Sequence, residues 1–244
     1  MVKIVPTPDW FLGKDLLIEA FSLLVLLIFV VLAYRYYKLS KNRGVFYLGF
    51  GFGLIALAEL AEILTKLVLY YDIGPSNAIG QAIVTSHLVT SVDIFYYAGF
   101  FFHRFLTLAG LYLIYRLPRK SKSLGDYALV VYFILISTLL SKEFFYLFHL
   151  TAFFISIMIV EGYYHIYKKN KFFNTKILMV AFSLFALSQL IFILSAYEIL
   201  FVTANIVELM SYTIFLAIII RIWKYGKKKK SYGYNIRYAG NNPR

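Results

Sequence analysis

The chain has 244 residues, 61% of them hydrophobic and only 15% charged, with a mean hydropathy of +0.74. Soluble domains carry about 25% charged and 45–50% apolar residues, so a single water-facing globule is excluded and lipid is the expected solvent for much of the surface. The absence of cysteine rules out disulfides, zinc–thiolate sites and iron–sulfur clusters, and the formal net charge of +13 has to be read from where the basic residues sit.

Residues 1–10 contain Pro6, Pro8 and Asp9 and lead into an apolar run too long for the core of a signal peptide. They are expected to form a short tail outside the membrane. A spanning helix needs about 20 mostly apolar residues. Predicted spans cover 15–37, 45–71, a third that ends at 116 and starts as early as 82, then 126–140, 144–167, 177–197 and 201–223. The fourth is the shortest, and only Ser141, Lys142 and Glu143 divide it from the fifth.

Basic residues occupy alternate connections. Arg35, Lys38, Lys41 and Arg43 mark the first, Arg116, Arg119, Lys120 and Lys122 the third, and Lys168, Lys169, Lys171 and Lys176 the fifth. Arg221, Lys224 and the run 227–230 follow the last span, whereas the intervening connections hold almost none. The positive-inside bias then predicts an all-α membrane protein with seven transmembrane helices, N-terminus outside and C-terminus in the cytoplasm. Tyr and Trp at the helix ends, such as Trp10, Tyr34, Tyr37, Tyr70 and Trp223, read as interfacial anchors. Residues 1–225 are the expected transmembrane domain. Residues 226–244 are expected to be a disordered basic tail attracted to anionic lipid headgroups, each basic residue contributing about 1 kcal/mol. A cytoplasmic protein partner is the other use for that tail. Nucleic acid is not expected, because no soluble basic surface remains.

The chain also resembles itself. LIALAELAEIL at 54–64 aligns with LFALSQLIFIL at 184–194, placing Glu59 opposite Gln189, and the same offset sets Tyr34, Tyr37 and Lys38 on Tyr164, Tyr167 and Lys168. This predicts two parallel three-helix repeats, 12–117 and 143–224, joined by a helix at 124–141, a plan used by transporters. The three-plus-one-plus-three order is similar to that of SWEET-type sugar transporters and of microbial rhodopsins. It is also similar to the seven-helix sensory inputs of bacterial signalling proteins. No Pro-Gln pair occurs, however, and no lysine lies between Ile177 and Trp223, so retinal bound as a Schiff base in the last span is excluded.

Ionisable and amide side chains at membrane depth are candidates for function because burying them in lipid is costly. Depth by rise per residue places Glu19, Glu59, Glu62, Lys66, Asp93, His103, Arg104, His149, Gln189, Asn205 and Glu208 in the outer half, with Tyr97 between Asp93 and Arg104 on one helix face. Glu59, Glu62 and Lys66 stand at i, i+3 and i+7, so Glu62 and Lys66 can pair within the helix. Arg104 is the expected partner of the deeper Glu59. Haem is disfavoured: His87 and His103, like His149 and His165, are sixteen apart, which turns a helix by about 160° beyond whole turns. No nucleophile elbow, Walker loop or metalloprotease pair is present, so an enzyme is not expected. Gly49, Gly51 and Gly53 lie inside a span, where they permit close helix packing. The leading expectation is a transporter of small solutes or cations with a polar site in the outer half. The alternative is a ligand sensor or a scaffold for a cytoplasmic partner.

Overall fold

The computed structural model describes residues 9–11, 13–71, 91–117, 124–140, 145–194 and 197–239. After a 3-10 turn at Asp9–Phe11 come α1 (Lys14–Ser40), α2 (Arg43–Tyr71), α3 (Ser91–Arg116), α4 (Leu124–Leu140), α5 (Phe145–Asn170), α6 (Phe173–Ile193) and α7 (Glu198–Ala239). No strand occurs among the described residues. The five prolines, at 6, 8, 75, 118 and 243, all fall outside these helices. Pro118 follows the last turn of α3 directly, where its ring disfavours helical backbone in the residue before it.

Two helix boundaries share one geometry. Lys41 ends α1 in the left-handed region at φ 55°, with its N–H still bonded to the Tyr37 carbonyl at 2.8 Å. Lys171 ends α5 at the same φ, with its N–H on the Tyr167 carbonyl, also at 2.8 Å. The next residue then starts the following helix by accepting from the residue three further on: Asn42 from Val45 at 3.2 Å, and Phe172 from Thr175 at 3.1 Å. α1–α2 and α5–α6 are therefore antiparallel hairpins with matching turns.

Around the bundle, α1 packs on α2, α2 on α3, α3 on α5, α5 on α6, α6 on α7, and α7 returns to α1. The result is a ring of six helices, with α4 lying against α3 and α5. The main core fills the ring and contains a block of rings: Phe52 lies 4.4 Å from Phe29 and 4.7 Å from Phe215, and Phe215 lies 4.6 Å from Phe182, centroid to centroid. A second, smaller apolar cluster joins Phe11 of the N-terminal turn to Phe192, Phe201 and Val202.

Among the described residues, six helices are long and apolar enough to cross a membrane: Lys14–Ser40, Arg43–Leu67, Tyr97–Arg116, Tyr146–Asn170, Phe173–Ile193 and Ile199–Ile222. Only 33–44% of each apolar window is buried within the protein, so most of it faces outward and requires a lipid solvent. Hydroxyls on that outer face conceal themselves locally. Ser183, Thr203 and Thr213 are exposed, and each donates to the carbonyl four residues back. The chain is thus a multi-pass, all-helical integral membrane protein.

The six long spans match predicted segments. The fourth predicted span coincides with α4, whose 17 residues sit at the lower limit of the length that crosses a bilayer. α4 and α5 are separate helices on either side of 141–144, which lie outside the described residues, as do 72–90, where the earliest start of the third span falls. α7 continues to Ala239, through most of the segment expected to be disordered. An established helix extends at the cost of one residue at a time, and 224–239 contains no proline to stop it.

Candidate functional site

Close approach of α2 and α3 prepares the site. A Cβ on Gly110 would come 2.6 Å from the Gly51 carbonyl oxygen, so only glycine lets the two backbones cross there. One helical length further on, Gly99 gives the same room to the side chain of Thr65. Between these two contacts α2 turns Glu59, Glu62 and Lys66 inward, and α3 turns His103, Arg104 and Thr107 toward them.

The other helices supply short polar stripes at helical spacing. Asp15, Glu19 and Ser22 of α1 are all buried, at i, i+4 and i+7. α5 brings His149, α6 brings Gln189, and α7 brings Asn205, Glu208 and Tyr212. These groups surround a cavity of about 80 Å³ inside the ring. One water needs about 10–15 Å³ of such space, so the cavity has room for several. Every ring helix contributes, and α4 contributes none of the described lining. Phe192 and Phe201 belong both to the lining and to the smaller apolar cluster, so apolar side chains flank the polar groups.

Three hydrogen-bonded groups make up the lining. In the first, the Lys66 ammonium, 2% exposed, is cradled by Glu19, by Glu62 at 3.0 Å and by Asp15 at 3.4 Å. Asp15 is itself fixed by accepting from the Gly13 N–H at 3.0 Å, where Gly13 takes a left-handed φ of 83°. His103 adjoins this group. Its Nδ1 lies 3.1 Å from Glu62 Oε2 and 3.2 Å from the Ala58 carbonyl, and since both are acceptors, Nδ1 carries the hydrogen.

The second group links α2 to α7. The Tyr212 hydroxyl lies 2.8 Å from Glu208 Oε1 and 3.3 Å from Glu59 Oε1. A phenol has one hydrogen to donate, so it serves the nearer Glu208, and the Glu59 contact is satisfied when Glu59 carries a proton and donates to the phenol oxygen. The third group joins α5 to α6, His149 Nδ1 bonding Gln189 Oε1 at 2.8 Å while the ring stacks on Phe192 at 4.7 Å.

Of the sequence-derived candidates, Glu59, Glu62, Lys66, His103, Arg104, His149, Gln189, Asn205 and Glu208 all line this one cavity. Tyr97 does not. It is 39% exposed on the outer surface near the start of α3. Asp93 lies on the first turn of α3 with its side chain outside the described set, and His87 falls in the undescribed 72–90. His165 is on the surface, 3.8 Å from Glu161. Arg104, the expected partner of Glu59, shares the cavity with it, its guanidinium 5.7 Å from the Phe100 ring centre, while the Glu59 contact with α7 is the Tyr212 hydroxyl.

Sequence reasoning passed over Asp15, Ser22, Thr107 and Tyr212. Their spacing carried a signal: Tyr212 stands four residues after Glu208 and seven after Asn205, and Asp15 four before Glu19. Among the described residues no three His, Asp or Glu side chains are placed to hold a metal ion. Counting Asp15 behind Lys66, five carboxyl groups face one ammonium and one guanidinium, a formal excess of negative charge with neutral histidines. No family model, curated protein or solved structure matches the chain.

Proposed function

We propose that this protein carries a small, positively charged solute across the membrane, using the cavity between its two hairpin units as the binding site. The observation that carries the reading is the cavity itself: a space for several waters ringed by six membrane helices, with more carboxyl groups than fixed cations around it. Buried carboxylates without matching counter-charges are costly, and a cationic solute offsets that cost.

The topology of the proposal is seven crossings with the N-terminus outside. The cavity is lined by the N-terminal halves of α1, α5 and α7, the middle of α3 and the C-terminal halves of α2 and α6. That arrangement supports odd-numbered helices running one way, with the chain between α3 and α5, which includes α4, returning from one side to the other. The two matching turns at Lys41 and Lys171 support a parallel repeat at an offset of 130 residues, under which Glu19 corresponds to His149 and Glu59 to Gln189. Repeats that meet at a central polar site are a general means of alternating access, one unit rocking against the other.

The test is solute flux in proteoliposomes. Uptake of a cationic solute driven by an imposed membrane potential is expected for the wild-type protein and abolished in Glu59→Gln and Arg104→Ala, with both variants still folded. Absence of flux for inorganic cations and organic amines alike removes the transport reading.

A further inference from the structure

Five helical threonines among the described residues dispose of their hydroxyls in one way. Thr65, Thr138, Thr151, Thr203 and Thr213 each donate to the carbonyl four residues earlier, at 2.7–2.9 Å. Thr107 departs from this pattern. It is 5% exposed and lines the cavity, yet its Oγ1 has no hydrogen-bond partner among the described residues. The other side-chain atom in that condition is Glu19 Oε2, on the same cavity. Its sister atom Oε1 is occupied by Lys66.

Two buried oxygens, each short of a partner, therefore belong to side chains that line one small space. A buried polar atom is ordinarily satisfied by protein or by something bound. Both atoms can accept, one belongs to a carboxyl group, and carboxyl groups outnumber fixed cations around the cavity, so a cation suits them and an anion does not. The volume suits a bare or partly hydrated ion and is far below the several hundred cubic ångströms of a typical organic-ligand pocket. The donor set argues against a transition metal or zinc, since the described residues offer no cluster of three ligating side chains.

We propose that Glu19 Oε2 and Thr107 Oγ1 are the protein ligands of a monovalent alkali cation, with water completing its shell. Lys66 is then a resident counter-ion for Asp15, Glu62 and Glu19 Oε1, leaving Glu19 Oε2 for the mobile ion. This rests on reading the cavity as a solute site and names the solute's class.

Equilibrium binding to the full-length protein in detergent tests the site apart from transport. Calorimetric titration with NaCl and with KCl is compared with choline chloride at equal ionic strength. Saturable binding of one alkali cation is expected, absent with choline and weakened at least about tenfold in Thr107→Val. Because the Thr107 hydroxyl holds no protein partner, replacing it by an isosteric methyl removes no hydrogen bond, and the variant is expected to melt no lower than wild type. A purely structural threonine would leave cation affinity unchanged on this substitution, and that result overturns the proposal. So does heat indistinguishable from choline, which means the space holds water alone. Saturable alkali-cation binding without flux keeps this site and removes transport. Flux of an organic amine without alkali-cation binding does the reverse.

Discussion

Glu59 of α2 and Tyr212 of α7 meet across 153 residues of sequence, with the phenol oxygen 3.3 Å from the carboxyl. The same hydroxyl bonds Glu208 at 2.8 Å, so a single aromatic side chain ties a carboxyl from each half of the chain into one chain of hydrogen bonds. Tyr212 is 1% exposed, and water cannot easily replace it.

Tyr212→Phe is accordingly expected to lower stability by about 1–3 kcal/mol, the cost of leaving a buried polar group unmet. Denaturant unfolding in mixed micelles measures it. A double-mutant cycle with Glu208→Leu should show strong non-additivity, because the two changes remove the same bond. Additive effects would show that the contact contributes nothing.

The cradle around Lys66 makes a larger prediction. Lys66→Met leaves Asp15, Glu19 and Glu62 together without their shared cation, and a loss of about 3–5 kcal/mol is expected. Adding Asp15→Asn to that variant should restore part of the loss, since it removes one of the uncompensated carboxylates. Thermal melting of the three proteins decides the matter, and no recovery in the double variant would contradict the charge argument.

At the crossing of α2 and α3, Gly110→Leu places carbon where the Gly51 carbonyl oxygen lies. Overpacking of this kind costs about 1–3 kcal/mol. Because the crossing sets the spacing of Glu62 and His103, the variant should also lose solute flux where it still folds. Gly53→Ala is the control, since its nearest neighbour in space would stand at an ordinary 3.8 Å.

Topology is testable because the chain has no cysteine. Single cysteines at Lys41 and Lys171 should react with a membrane-impermeant maleimide only after cells are permeabilised. Cysteines at Asn77 and Lys142 should react in intact cells. Labelling of all four in intact cells, or the opposite pattern, would reverse or abolish the proposed orientation.

Membrane residence, the helix register and most of the polar side chains of the cavity were legible along the chain. Apolar runs of helix-spanning length and charges confined to alternate connections follow from local composition, and a polar residue within such a run is conspicuous against lipid. The equivalence of the segments before Lys41 and Lys171 was also visible, as Tyr34, Tyr37 and Lys38 matching Tyr164, Tyr167 and Lys168. Partner choice was not legible. Lys66 could be assigned to Glu62 from helical spacing, but Asp15 and Glu19 reach it only because α1 packs on α2. Depth alone pointed to Arg104 for Glu59, and both line the cavity, but the Tyr212 contact with Glu59 depends on rotation about the helix axis, which depth does not give.

The polar site first seen as a one-sided accumulation of charges thus became the lining of a single cavity only through the closing of the helix ring. Composition and periodicity determined that the protein lies in a membrane and that its ionisable residues gather at one depth, because lipid constrains every residue of a span in the same local way. Which carboxylate holds which cation, which hydroxyl stays unpaired and how large a space remains were decided by packing between helices distant in sequence. Those are properties of side-chain rotation and helix separation, set by Gly51 against Gly110 and by the aromatic block around Phe52, and no linear pattern records them.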